Sequence, residues 1–104
     1  MKQPKPAYLV SSAQYPEKND SLMEYAKAAH PIFQTYGAEV LVAGVTDQAI
    51  DLLEGQWPSA EAKISVVRFP SMQRLKACLT SSDYLAIKHL RTEVVDTHFA
   101  LAVD

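Results

Sequence analysis

Residues 54–71 read EGQWPSAEAKISVVRFPS, and the two halves of the stretch have different chemistry. In the first half, Gly55 and Pro58 bracket Trp57, the composition of a connection and not of a helix or strand. The second half, Lys63 to Phe69 (KISVVRF), is β-branched and aromatic, and Pro70-Ser71 closes it. It predicts a main strand that groups Ile64, Val66 and Arg68 on one face, opposite Val67 and Phe69.

On the N-terminal side, Glu39 to Val45 (EVLVAGV) predicts a second strand, and Ala49 to Leu53 a short extra strand or hairpin arm. Ala7 to Gln14 (AYLVSSAQ), stopped by Tyr15-Pro16, predicts the first strand. Between them Ser21-Leu22-Met23-Glu24 fits a capping box. The helix it starts carries Leu22, Ala26, Ala29, Phe33 and Tyr36 on one stripe and ends at Gly37. Pro31 inside it predicts a kink after His30. On the C-terminal side, Pro70-Ser71 begins a helix with Met72, Leu75, Cys78 and Leu79 inward. Ser81-Ser82-Asp83 breaks and restarts it, and Tyr84, Ile87, Leu90 and Val94 form the apolar side of the second piece. Thr97 to Val103 predicts the last strand, with Phe99, Leu101 and Val103 on one face and His98 turned toward the side of the sheet that meets a partner.

The resulting order is β-α-β-β-α-β, an α+β ferredoxin-like arrangement of four antiparallel strands with both helices on one face. A single helix layer leaves the other sheet face bare and apolar, which implies a partner, and the expected partner is a second copy of the chain. Residues 7–104 form one domain, and residues 1–6, with two prolines and two lysines, read as a flexible start.

Composition narrows the function. At 104 residues, 48% hydrophobic and 21% charged, the chain has an ordinary globular balance. With a net charge of −2 and scattered basic residues, no nucleic-acid footprint exists. No apolar run is long enough to span a membrane and no secretory segment is present, so the expectation is a cytoplasmic protein. Cys78, the lone cysteine, has no internal disulfide partner and reads as inert core. His30, His89 and His98 lie on different elements without short ligand spacing, so no metal site is assigned. Haem is disfavoured, and no cofactor is assigned. With three glycines in all, no phosphate cradle can be built, and no nucleophile elbow, dinucleotide fingerprint or zinc motif occurs.

Glu54-Gly55-Gln56-Trp57-Pro58, followed by Val66-Val67-Arg68-Phe69-Pro70-Ser71, resembles the signature of a family of small bacterial proteins of unknown function in the dimeric α/β-barrel superfamily. Ala7-Tyr8, Tyr36-Gly37 and Ser81-Ser82-Asp83-Tyr84 with Arg91 agree with it, over roughly Ala7 to Val103. The chain departs from the family where it has Ala38 for a glycine, Ala43 for an arginine and Arg68 for a glutamate. The resemblance implies a homodimer whose sheets pack together, with a cleft between sheet and helices; it supplies no mechanism. Superfamily relatives include cofactor-free monooxygenases and muconolactone-type isomerases. The function expected from it is binding of a small organic molecule. The alternatives are a cofactor-free enzyme, or a structural or regulatory dimer without turnover.

Four residues are candidates for a ligand site. Trp57 reads either as a wall for a ligand or as the anchor of its loop, inside the chain or at the dimer seam. Arg68 reads as an ion-pair member, with Glu54 or Glu93 as its carboxylate, or as a clamp for an oxyanion. His30 borders the core stripe and is the candidate proton carrier, so also the candidate catalytic residue. Tyr8, opposite Arg68 if strands one and three are antiparallel, completes one small pocket of Tyr8, His30 and Arg68. That pocket exists only if His30 and Arg68 share a side of the sheet.

Overall fold

The computed structural model describes residues 5–16, 20–44, 49–57 and 62–104. Strand β1 (Ala7–Gln14) is followed by helix α1 (Asp20–Thr35), β2 (Glu39–Val42) and β3 (Lys63–Phe69). Three consecutive helical pieces, α2 (Met72–Thr80), α3 (Ser82–Ile87) and α4 (His89–Thr92), then lead to β4 (Asp96–Val103). The sheet order is β2-β3-β1-β4, and every pair is antiparallel. This is the expected ferredoxin-like α+β topology.

The core decides which face the helices cover. Ala7, Val67 and Phe69 from the sheet are buried against Leu75 and Cys78 of α2, with Leu9, Ile32, Phe33, Tyr36, Met72 and Leu79 packed around them. Residues directly opposite in antiparallel strands share a face. The pairs Ala7–Phe69 and Leu9–Val67 therefore belong to the helix side, and Tyr8–Arg68 and Val10–Val66 to the helix-free side. β4 continues the helix-free side, for Val103, Leu101 and Phe99 stand opposite Tyr8, Val10 and Ser12. Phe99, Leu101 and Val103 share one face as expected, but it is this bare face, where they remain 37%, 47% and 48% exposed. The parity expected for His98 changes as well. A register shift between Ser12 and Ala13 lets the His98 ring reach the same face, where Nδ1 lies 3.3 Å from Ser12 Oγ.

Several boundaries differ from those the sequence predicts. Residues 49–53 form no strand and leave Leu52 and Leu53 exposed. β2 stops at Val42, and Val45 lies outside the described residues. α1 begins at Asp20, so Ser21 is helical, and any cap falls on residues outside those described. The helix runs through Pro31 as one element. Pro31 and Lys27 are both exposed, so water can take the Lys27 carbonyl that the missing N–H leaves free. Of the expected inward stripe, Ala29, Phe33 and Tyr36 do face inward, Ala26 is exposed, and Tyr25 and Ile32 widen the stripe on one side.

Candidate binding site

Tyr8 and Arg68 are register partners, as expected of antiparallel neighbours, and the face they share is the helix-free one. Glu39 of β2 stands opposite Arg68 from the other side, and its Oε2 lies 3.8 Å from Arg68 Nη1. The carboxylate partner of Arg68 is thus the next strand's Glu39, and not Glu54 or Glu93. Both ends of the pair are largely exposed, so it contributes little to the stability of the single chain.

His30 does not join them. It is exposed on α1, and α1 packs on the sheet face that carries Val67 and Phe69. The sheet separates His30 from Arg68, and no pocket of Tyr8, His30 and Arg68 is formed. The reason is the strand alternation itself: a residue one position from Val67 must point away from the helix layer. His30 instead lines a shallow, open groove with Met23, Glu24, Ala26 and Lys27 on the outer side of α1. Trp57 is half-buried at the end of the 49–57 connection, after a bend in which Gly55 has φ +88°. Cys78 is fully buried, and burial pushes its thiol up to about 11. Among the described residues no three His, Cys, Asp or Glu side chains converge as metal ligands, and no helix is long and apolar enough to cross a membrane.

A different group of polar side chains meets where α1, the α3–α4 pieces and the start of β4 come together. Tyr84 is buried in α3, and its hydroxyl lies 2.9 Å from that of Tyr25 on α1. The two rings meet edge to face at 6.2 Å, and Phe33 packs 5.9 Å from Tyr84. Arg91 of α4 is half-buried. Its Nη2 donates to Tyr84 Oη at 3.4 Å, its Nη1 to Thr97 Oγ1 at 3.3 Å, and its guanidinium carbon stands 5.8 Å from the Tyr25 ring centre. Burial raises the Tyr25 phenol well above its usual range, reinforced by Tyr84 and opposed by Arg91. Tyr15 is raised by burial too, against a smaller lowering pull from Arg91. For Arg91 burial works against the charge, but Tyr84 and Tyr25 outweigh it and the net shift is upward. The Tyr15 and Tyr25 phenols are therefore neutral, and the Arg91 guanidinium charged, throughout the physiological range.

This cluster was only partly legible beforehand. Tyr84 counts as apolar core by periodicity, Arg91 enters only with the family resemblance, and Tyr25 falls off the predicted stripe. A usable signal was present: Tyr84 and Arg91 are seven positions apart, the spacing that stacks two side chains on one helical face.

The chain resembles two crystal structures of one protein of unknown function from Rhodopseudomonas palustris. For the first, a structural genomics target, the TM-score is 0.67 at 18% identity, covering 94% of this chain and 80% of the other. For the methylated form the TM-score is 0.69 at 15% identity, covering 98% of this chain and 82% of the other. At such identities the likeness shows the fold alone. No curated protein matches the sequence. A family model does match, over residues 6–103, and the chain accordingly belongs to the DUF1330 family, a domain of unknown function.

Proposed function

We propose that this protein is a homodimeric binding domain for a small organic molecule, held between the sheet and the helices. The observation that carries the reading is the Arg91–Tyr84–Tyr25 cluster. A half-buried guanidinium whose partners are hydroxyls and not carboxylates is costly to keep, and a core alone has no use for it. The cluster sits where α1, α3, α4 and β4 meet, on the helix side of the sheet, and the family resemblance implies a cleft between sheet and helices. The bare apolar face of Val10, Val66, Phe99, Leu101 and Val103 supports pairing with a second copy. Such a pairing would make this chain, like the bacterial family it resembles, a dimeric α/β barrel, and interfaces of that kind commonly bury more than about 2,000 Å². The enzyme alternative gains nothing from the geometry, because the proton carrier it needed, His30, lies across the sheet from Arg68.

Native mass spectrometry of freshly purified protein tests both parts. The expected spectrum is a dimer with a small organic mass attached, lost on mild activation. A stable monomer at micromolar concentration removes the dimer. A ligand whose nuclear magnetic resonance footprint avoids α1, α4 and β4 removes the cleft.

A further inference from the structure

In the Arg91–Tyr84–Tyr25 cluster hydrogen-bond donors outnumber acceptors. An arginine has five N–H groups, and Arg91 donates to Tyr84 and Thr97. Its partners among the described residues are hydroxyl groups and an aromatic ring, those of Tyr84, Thr97 and Tyr25, with the Tyr15 phenol within electrostatic reach, and no described carboxylate forms an ion pair with it. The phenols add to the surplus. Tyr25 and Tyr84 share one hydrogen bond, which uses one of their two protons. If Tyr84 donates, the Tyr25 proton is left over. If Tyr25 donates, the Tyr84 oxygen is filled by Tyr25 and Arg91, and the Tyr84 proton is left over. Either way a phenolic O–H has no acceptor among the described residues. Burial keeps Tyr25 protonated, so the donor persists across the physiological pH range.

A permanent cation half out of water, beside a spare O–H, is complemented by an anion. A single guanidinium matches a single negative charge, and its planar fork matches the two oxygens of a carboxylate. The aromatic surroundings, Tyr25 against the guanidinium and Phe33 against Tyr84, suit an apolar body behind that carboxylate. We propose that Arg91, Tyr25 and Tyr84 form a binding site for the carboxylate of a small monocarboxylic acid. Paired guanidinium N–H groups hold the two oxygens, and the free phenolic O–H supplies a further hydrogen bond. This deepens the binding function proposed above and rests on it.

The test is a nuclear magnetic resonance titration of the full chain with benzoate, with benzamide as its neutral counterpart and acetate as a carboxylate without the ring. Benzoate is expected to shift the Arg91 side-chain N–H and the amides of Tyr25, Tyr84 and Arg91, and to bind at least about tenfold more tightly than benzamide. Arg91→Lys keeps the charge without the fork and is expected to weaken benzoate about tenfold or more. Tyr25→Phe keeps the ring and is expected to weaken it about threefold to tenfold. The spectra of both variants report whether they fold; if Arg91→Lys does not, the benzoate–benzamide ratio and Tyr25→Phe decide. Undiminished binding to folded Arg91→Lys overturns the site. Benzamide binding the same residues as tightly as benzoate overturns the carboxylate but leaves a small-molecule cleft standing. If neither aromatic probe nor acetate shifts these residues at tens of millimolar, both the carboxylate site and the cleft fall.

Discussion

Gly37 and Gly55 both have positive φ, +78° and +88°, yet the same substitution meets different surroundings at each. A Cβ on Gly37 would lie 2.8 Å from Pro70 Cγ and 3.2 Å from Pro70 Cδ, atoms of a ring that cannot swing aside. A Cβ on Gly55 meets nothing within 4 Å. Gly55→Ala is therefore expected to cost about 1 kcal/mol, the left-handed backbone term alone. Gly37→Ala should cost clearly more, about 2 kcal/mol or above. Urea unfolding of the two variants side by side measures the difference. Cys78 makes a second prediction at this scale. Its folded-state value, about 11, lies above the ordinary 9.0, so the folded chain holds this proton more tightly than the unfolded chain. The stabilisation is full below pH 9 and is lost as pH rises through 11, a fall on the order of 2 kcal/mol. Cys78→Ala should lack that part of the alkaline decline, although the cavity it leaves lowers stability at every pH. Tyr15 and Tyr25, raised in the same direction, contribute losses that begin higher.

Ser81 governs two elements at once. Its hydroxyl donates to the Cys78 carbonyl at 2.7 Å at the end of α2 and accepts from the Tyr84 amide at 3.2 Å at the start of α3. The break between these helices is therefore a capped corner, which fixes where Tyr84 and then Arg91 meet Tyr25. Ser81→Ala is expected to cost about 1–2 kcal/mol, the upper part of the range for a lost cap, because two ends are released. Ser71→Ala, which removes only the hydroxyl that accepts from the Arg74 amide at the start of α2, should cost about 1 kcal/mol. Thermal unfolding of both variants provides the comparison.

For the molecule as a whole, the sheet is the organising surface. Its short axis, 18 Å, is the thickness of one sheet and one helix layer, with nothing in the described chain opposite Phe99, Leu101 and Val103. Leu101 is 47% exposed, so Leu101→Glu should change single-chain stability by no more than about 0.5 kcal/mol. In a dimer joined through this face the same change buries a charge in an apolar interface and should shift sedimentation from dimer to monomer. An unchanged dimer would place the interface elsewhere.

The four main strands and their topology follow from the sequence alone, because the short apolar composition of AYLVSSAQ and KISVVRF and their Pro-marked ends are local properties and few connections are allowed. The extra strand expected at residues 49–53 does not form. The sequence also placed Arg68 correctly on the face opposite Val67 and Phe69, for side-chain parity needs no tertiary knowledge. It could not place His30, since which sheet face a helix covers depends on which strand residues are buried against it. Nor could it name Glu39 as the partner of Arg68, a contact set by β2–β3 register across a long connection. The Tyr25–Tyr84–Arg91 cluster was decided only by the tertiary structure. Tyr25 and Tyr84 are 59 residues apart, and their hydroxyls meet because α1 and the restarted helix pack together over the same sheet. Periodicity marks a tyrosine as inward, but only packing decides what its hydroxyl meets.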